Sequence, residues 1–192
     1  MDNSIIIITD DNARSHKLEE MLAQNGFNVL AIANFRENPM RIIASLEPEL
    51  VLIDCDAISP NLLEVIDTIA EYGQRPIIMS GQHADTAAIT QCTTAGVNAF
   101  IFDNLNSAQI ETIVTAAFVR FNALKNIKQE LTETRTKLDD RKHIDRAKGL
   151  LMNKRNLSEK DAYRLIQTMA MERNQRMAEV ARNVLSMSDL IG

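Results

Sequence analysis

The first 119 residues alternate between short apolar runs and amphipathic stretches. Five runs rich in β-branched residues have the composition of strands that are buried on both faces. These runs are Ile5–Thr9, Val29–Ala33, Leu50–Ile53, Ile77–Met79 and Ala99–Phe102. In the segments between them, apolar residues recur every three or four positions, which is the spacing of one helix face. This alternation predicts an α/β fold with a five-stranded parallel sheet that is covered by helices on both faces.

Four residues mark where the helices of this half begin and end. Asn38 and Ser59 each precede a proline, and a capping side chain before proline is typical of a first helical turn. Gly26 and Gly96 fall where a helix must stop before the next strand begins. The pattern therefore predicts helix boundaries as well as helix positions.

A single long helix is predicted from Ser107 to near Asn156, since no glycine or proline interrupts residues 107–148. Within it, leucines recur every seven residues, and a second set of residues occupies the complementary positions of the heptad between them. The stripe comprises Leu124, Ile127, Leu131, Thr134, Leu138 and Arg141. A lone helix that exposes such a seam needs a partner, so we expect a homodimeric coiled coil that weakens toward its polar end.

Two shorter amphipathic helices follow. Ser158 begins a capping sequence, and Asn174 stands where we expect the cap of the last helix. Their apolar positions are spaced i, i+3, i+4, i+7 and i+8. These positions are Ala162, Leu165, Ile166, Met169 and Ala170 in one helix and Met177, Val180, Ala181, Val184 and Leu185 in the other. Together with the end of the long helix they predict an all-α three-helix domain.

Charge separates the two halves of the chain. The net charge is −5, but residues 1–119 carry 5 basic and 16 acidic residues, whereas residues 120–192 carry 16 basic and 10 acidic residues. A basic helical region favours a polyanionic partner, because neutralised phosphates release counterions. A solvated surface with surplus lysine is the alternative. Tyr163 is the only aromatic residue among the last fifty, so this region lacks the aromatic platform on which single-strand binders stack bases. A folded RNA with a few splayed bases is therefore the partner that fits better.

Carboxylates follow two of the predicted strands. Asp10 and Asp11 come after the first strand, and Asp54 ends the third. Because ligands gather at the carboxyl ends of parallel strands, these three could hold a hard divalent cation such as Mg²⁺. A carboxylate beside that cation could accept a phosphoryl group. The alternative is that these aspartates cap the helices that follow them.

Four motifs carry a resemblance to a known domain. They are Thr9-Asp10-Asp11, the run Leu50–Asp54, the run Pro76–Ser80 and the pair Ala95-Gly96. Over residues 1–120 they resemble the response regulator receiver domain, which has a flavodoxin-like fold. The resemblance implies that Asp54 stands at the phospho-acceptor position. Ser80 would supply the hydroxyl after strand four, although Gly81 fits the spacing from Gly96 better.

One position departs from the receiver pattern. The lysine that follows strand five in that family is replaced by Asp103. A fourth carboxylate would repel a phosphorylated Asp54. We therefore predict a pseudo-receiver with a vestigial acidic pocket of Asp10, Asp11, Asp54 and Ser80, whose input comes through protein contact.

The C-terminal half carries a more specific resemblance. The segments Ile144–Met152, Leu157–Tyr163 and Asn174–Ala181 resemble the ANTAR domain over residues 135–188. With a receiver-like domain and a coiled coil before it, the order resembles the AmiR/NasT antiterminators, most closely the NasT type. We therefore predict a pseudo-receiver at 1–119, a coiled-coil linker helix at 120–140 and an ANTAR domain at 141–192. The residues predicted to contact RNA are Arg141, Arg146, Ala147, Lys148, Gly149, Lys154, Tyr163, Arg173 and Arg176.

The resemblance implies a mechanism and partners. Proteins of this type bind paired hexaloop hairpins in nascent leader mRNA, which prevents the overlapping terminator from forming. The RNA polymerase elongation complex is affected only indirectly. For the NasT type, the implied control is a nitrate-sensing NasS-like protein, and the implied targets are nitrate and nitrite assimilation genes. Lys148 and Arg176 are the first choices for RNA contact.

Two other functions stay open. The last two helices superficially suit a DNA-binding response regulator with a helix-turn-helix, and the coiled coil could itself be the output of an interaction protein. We do not expect an enzyme, because no nucleophile–base pair or glycine-rich phosphate loop is present and His16, His83 and His143 are scattered. We expect neither a membrane span nor a signal peptide, and we expect a cytoplasmic location with reduced Cys55 and Cys92.

Overall fold

The computed structural model describes residues 3–81, 85–102 and 107–191. The chain divides into two compact units, Met1–Lys125 and Asn126–Gly192, which are called the α/β unit and the helical unit below. The finer predicted division into 1–119, 120–140 and 141–192 stays a prediction.

Five parallel strands form the sheet of the α/β unit. They are β1 (Ser4–Thr9), β2 (Asn28–Ala33), β3 (Leu50–Asp54), β4 (Ile77–Gly81) and β5 (Ala99–Phe102). Their order across the sheet is β2-β1-β3-β4-β5, which is the flavodoxin-like order. The predicted α/β fold with a five-stranded parallel sheet is therefore confirmed.

Helices connect the strands at the predicted places. They are α1 (Asn12–Gln24), α2 (Pro39–Leu46), α3 (Pro60–Thr68), α4 (Thr86–Ala95) and α5 (Ser107–Arg155), with a π-helical segment at Ile69–Gly73. The Asn38 side chain accepts a hydrogen bond from the Arg41 amide, and Ser59 accepts one from the Leu62 amide. Both predicted caps are thus confirmed, each with proline in the first helical turn.

The sheet is buried on both faces. Consecutive isoleucines of β1 point to opposite sides: Ile5 and Ile7 join one apolar cluster, whereas Ile6 and Ile8 join the other. The first cluster is completed by apolar residues of α1 and α5, and the second by those of α2, α3 and the π-helical segment. Burial of both faces explains why the strand sequences are continuous apolar runs and do not alternate between apolar and polar residues.

Gly96 ends α4 at a crowded point. Its φ is +124°, and a Cβ built there would overlap the Cβ of Ala70 in the π-helical segment. Gly26, which ends α1, has φ +79° but no heavy atom within 4 Å of the same built position. Both glycines therefore end helices as predicted, but only Gly96 is also required by packing.

The helical unit consists of the C-terminal part of α5, α6 (Glu159–Arg173) and α7 (Met177–Ile191). Its core contains the predicted apolar faces of α6 and α7, together with Ile144, Ala147 and Leu151 of α5. Ser158 caps α6 by accepting a hydrogen bond from the Asp161 amide at 3.1 Å. The predicted long helix and the three-helix arrangement are confirmed.

The role predicted for Asn174 is wrong. Asn174 ends α6 instead of starting α7: it has φ +49°, and its amide donates to the carbonyls of Ala170 and Met171. Asparagine tolerates this left-handed conformation better than most residues, so it serves as a helix C-cap. Near the start of α7, the Arg176 amide donates instead to the Glu179 carboxylate at 3.3 Å.

We predict that Gly96→Ala lowers the free energy of unfolding of the α/β unit by at least about 2 kcal/mol, because backbone strain and overlap with Ala70 add. Gly26→Ala should lower it by about 1 kcal/mol, from strain alone. Urea unfolding can be followed by Tyr72 fluorescence in a Tyr163→Phe background, since the chain has two tyrosines and no tryptophan. Equal losses in the two variants would contradict the packing role of Gly96.

Candidate functional site

Three polar side chains meet at the carboxyl ends of neighbouring strands. The strand register places Thr9 of β1 beside Asp54 of β3, and Asp54 beside Ser80 of β4. All three residues are buried, and Asp54 is only 1% exposed. A carboxylate buried to this degree needs compensating hydrogen bonds or a counter-charge.

Arg14 of α1 supplies that counter-charge. Its Nε lies 2.8 Å and 3.0 Å from the two carboxylate oxygens of Asp54, and its guanidinium also pairs with Asp56. The Thr9 hydroxyl donates a further hydrogen bond to Asp54 at 3.2 Å. Hydrogen bonding to Asp54 is the largest cause that raises the pKa of Arg14 above its ordinary value. The acidic pocket therefore contains a cation supplied by the chain itself.

Arg14 was not among the site residues predicted from the sequence, although one signal could have pointed to it. Arg14 lies in the first turn of α1, where the helix dipole disfavours a positive charge. A cation at such a position, three residues after Asp11, calls for a carboxylate partner. The partner could not be identified from the sequence, because Asp54 is 40 residues away.

The other two predicted acids lie at the surface just before α1. Asp10 and Asp11 are exposed, and Asp11 caps α1 by accepting a hydrogen bond from the Arg14 amide at 3.1 Å. Within the described ranges, no three side chains of the His, Cys, Asp or Glu type form a group that could hold a metal ion. The geometry thus favours the capping alternative for Asp11, and a divalent cation in the acidic pocket stays a prediction.

The backbone next to this pocket is tightly packed. A Cβ built on Gly81 would lie 2.7 Å from the carbonyl oxygen of Cys55, and the Cys55 amide donates to the Ser80 carbonyl at 3.0 Å. Burial raises the pKa of the Cys55 thiol to about 12, so this thiol stays protonated near neutral pH. Asp103, the predicted departure from the receiver lysine, lies outside the described residues.

Most residues predicted to contact RNA lie on the surface of the helical unit. Arg141, Arg146, Lys154, Arg173 and Arg176 are exposed, and Tyr163 is 44% exposed. Arg141 lies 3.9 Å from Asp145. The other four exposed cations have no ion partner among the residues that the structure describes.

Lys148 differs from these cations because two carboxylates hold it. Its Nζ lies 2.8 Å from Asp145 on the same helix and 2.8 Å from Glu159 at the start of α6. Its side chain is 16% exposed. The hydrogen bond with Asp145 is the main cause that raises the pKa of Lys148 and lowers the pKa of Asp145. Both groups are therefore charged at neutral pH, and Lys148 links α5 to α6.

Two residues of the Ala-Lys-Gly segment have different surroundings. Ala147 is fully buried in the helical core, so its side chain has no surface to offer RNA, and its predicted contact is corrected to a packing role. Gly149 has no heavy atom within 4 Å of a built Cβ. A glycine inside a helix costs about 1 kcal/mol relative to alanine, and packing within the described chain does not explain it.

The predicted dimer seam is exposed along α5. Leu124, Ile127, Leu131 and Leu138 are each about half exposed or more, and residues 122–139 are all exposed. The described chain therefore leaves the leucine stripe uncovered. Among the described helices, none combines the length and apolar character that crossing a membrane requires.

Comparison with known families agrees with this architecture. Residues 5–115 match the response regulator receiver domain, and residues 132–185 match the ANTAR domain. The receiver match spans more than half of the chain, which therefore belongs to the response regulator receiver family and carries an ANTAR domain in its C-terminal part. Both are families of regulators rather than of enzymes.

Relatives with a named role extend this comparison. The transcriptional regulatory protein PdtaR of Mycobacterium tuberculosis is 25% identical over 181 residues, which cover 94% of this chain and 88% of PdtaR. The nitrate regulatory protein of Klebsiella oxytoca is 36% identical over 67 residues, which cover 35% of this chain and 17% of that protein. The first likeness thus extends over both units, and the second over part of the chain.

Solved structures resemble the α/β unit. The signal receiver domain of a modulated diguanylate cyclase from Desulfovibrio desulfuricans G20 has a TM-score of 0.53 at 18% identity, covering 62% of this chain and 96% of that one. A two-component response regulator from Clostridium difficile has a TM-score of 0.53 at 20% identity, covering 62% and 98%. At these identities the likeness shows the receiver fold alone.

We predict that Arg14→Met lowers the free energy of unfolding of the α/β unit by about 3 kcal/mol, because it leaves the Asp54 carboxylate buried without its partner. Adding Asp54→Asn should restore most of this loss, since the uncompensated charge is then removed. Lys17→Met, at an exposed position of the same helix, is the control. Urea unfolding reported by Tyr72 measures the effect, and an Arg14→Met protein as stable as wild type would disprove the role of the pair.

Proposed function

We propose that the chain is a transcription antitermination regulator that binds paired hexaloop hairpins in nascent leader RNA and thereby prevents terminator formation. The observation that carries the proposal is the set of exposed cations on the matched ANTAR domain. Arg146, Lys154, Arg173 and Arg176 have no carboxylate partner in the described chain, so their charge is available to phosphates.

The mechanism needs no catalytic group. The leader RNA has two competing folds, and a protein that binds one of them more tightly shifts the population toward it. Arginine side chains can grip phosphates with two hydrogen bonds and can also stack on unpaired bases. Lys148 enters this scheme as a positioned point charge: an RNA phosphate would compete with Asp145 and Glu159 for its ammonium group.

The input proposed for the α/β unit is contact with a sensor protein. Arg14 already satisfies the buried Asp54 carboxylate, which supports a signal that does not depend on phosphorylation of Asp54. The named role of the Klebsiella oxytoca relative supports nitrate or nitrite assimilation genes as targets, with a NasS-like nitrate sensor as partner in the cytoplasm.

Dimerisation through α5 completes the proposal. Paired hairpins present two equivalent binding sites, and a protein with two copies of the helical unit could occupy both. The exposed leucine stripe of α5 offers the contact between copies, because burying it removes apolar surface from water.

RNA affinity tests the output proposed for the helical unit. A leader RNA with two hexaloop hairpins should bind tightly, and a scrambled-loop RNA should bind weakly, in equilibrium titrations at fixed salt. Lys148→Ala should weaken binding to both RNAs and reduce the slope of log affinity against log salt by about 1. Lys17→Ala, in the α/β unit, should change neither quantity.

A second variant separates RNA contact from a structural role for Lys148. Glu159→Gln frees the ammonium group from one carboxylate, so RNA binding should become tighter if Lys148 contacts phosphate. Weaker RNA binding by Glu159→Gln would show that Lys148 acts only as a link between α5 and α6.

Equal, weak binding of wild-type protein to all RNAs, with tighter binding to duplex DNA, would favour the helix-turn-helix alternative.

The oligomeric state tests the role proposed for the leucine stripe of α5. Wild-type protein should sediment as a dimer at micromolar concentration, and Leu131→Lys should sediment as a monomer because it places a charge in the seam. Thr132→Lys puts the same charge beside the stripe and should leave the dimer intact. A monomeric wild-type protein would refute constitutive dimerisation and favour assembly on the RNA.

A further inference from the structure

The guanidinium of Arg14 occupies the acidic pocket at the end of β3. Its Nε lies 3.0 Å and 2.8 Å from the two carboxylate oxygens of Asp54, and its Nη1 pairs with Asp56 in the loop after β3. The Arg14 side chain is 14% exposed, whereas that of Asp56 is 52% exposed. Arg14 therefore reaches from the buried Asp54 to a carboxylate at the surface.

The Asp54 carboxylate has no surface left for a further ligand. Its side chain is 0% exposed, one oxygen accepts a hydrogen bond from the Thr9 hydroxyl at 3.2 Å, and both oxygens face the Arg14 Nε. A carboxylate binds a metal ion through these same two oxygens, because it has no other acceptor. A cation could thus reach Asp54 only after Arg14 had moved away.

The main chain of Arg14 is fixed as well. Its amide donates to the Asp11 carboxylate at 3.1 Å, and the Asp11 amide donates to the Thr9 hydroxyl at 3.0 Å. Arg14 thereby engages two of the carboxylates that the sequence predicted in one pocket, Asp11 through its amide and Asp54 through its guanidinium. The helix cap orients the same residue that neutralises the buried charge.

Electrostatics makes Arg14 and a divalent cation mutually exclusive neighbours of Asp54. Hydrogen bonding to Asp54 is the main cause that raises the pKa of Arg14 above its ordinary value, so the guanidinium stays charged. A second cation at the same oxygens would be repelled at short range. Mg²⁺ must also give up tightly held water, whereas Arg14 is attached to the chain and is always present at a high effective concentration.

We propose that Arg14 is the resident cation of the acidic pocket and excludes divalent cations from Asp54. The guanidinium neutralises the carboxylate permanently. Asp54 then lacks the metal ion beside which a carboxylate could accept a phosphoryl group. The inference deepens the phosphorylation-independent input proposed above, on which its regulatory meaning rests, and it assigns that property to a single side chain.

The test compares the effect of Mg²⁺ on the unfolding of four proteins. They are the wild type, Arg14→Met, the double variant Arg14→Met with Asp54→Asn, and Lys17→Met, which removes an exposed cation from the same helix. Each is unfolded by urea in MgCl₂ and in NaCl of equal ionic strength, so that screening of surface charge is the same. Tyr72 reports unfolding as above, and calorimetric titration with MgCl₂ gives the dissociation constants.

Mg²⁺ should raise the urea midpoint of Arg14→Met only, because a cation that binds the folded but not the unfolded state stabilises the folded state. Wild-type protein should bind Mg²⁺ at least about tenfold more weakly than Arg14→Met, since the cation must displace a hydrogen-bonded charged group. The double variant should not respond, because the carboxylate ligand is gone. Lys17→Met should behave like wild type.

Two results would overturn the proposal. One is a rise in the wild-type midpoint with Mg²⁺ that Asp54→Asn abolishes, since a cation would then reach Asp54 in the presence of Arg14. The other is an Arg14→Met protein that responds to Mg²⁺ no more than wild type does. If Arg14→Met does not fold in NaCl, Arg14→Gln takes its place, because glutamine keeps a neutral donor beside Asp54.

These measurements involve neither RNA nor a sensor protein. Failure of the role proposed for Arg14 would therefore leave the antitermination function standing. Failure of that function would appear separately, in the RNA titrations described above.

Discussion

Burial of the sheet on both faces determines where polar chemistry can occur in the α/β unit. Helices cover both sides of β1 and β3, so a polar side chain along these strands would lose its hydration without compensation. Polar residues can appear only where the strands end, and Thr9, Asp54 and Ser80 lie there in adjacent register. The charge on the buried Asp54 then requires a partner, which α1 supplies as Arg14. The position of the polar pocket and the apolar composition of the strands therefore both follow from burial of the sheet on its two faces.

The fold could be predicted from the sequence to a large extent, because its signals are local or periodic. The β-branched runs indicated the strands, and the Asn-Pro and Ser-Pro pairs indicated the helix starts. Asn174 was misassigned because a short polar side chain suits both a helix N-cap and a left-handed C-cap, and only the backbone conformation distinguishes them. The π-helical segment after α3 has no sequence pattern that separates it from an ordinary helix end.

The sites were predicted less completely, because they depend on contacts between distant residues. Asp10, Asp11 and Asp54 follow the expected strands, but proximity to a strand end does not determine which side chains meet. Arg14 and Asp54 are 40 residues apart, and Lys148 meets Glu159 across the turn between α5 and α6. Likewise, the sequence places Ala147 on a basic helix, whereas only the packing of α6 and α7 shows that it is buried.

The carboxylates around Lys148 have a consequence for selectivity in a cell that is crowded with nucleic acid. A free lysine attracts any phosphate, whereas a lysine that is already paired gains little from a phosphate that arrives alone. Exchange of Asp145 and Glu159 for a phosphate becomes favourable only when other contacts form in the same encounter. For the RNA-binding function proposed above, such an arrangement would set a threshold that rejects chance electrostatic encounters and retains a folded RNA that fits several positions at once.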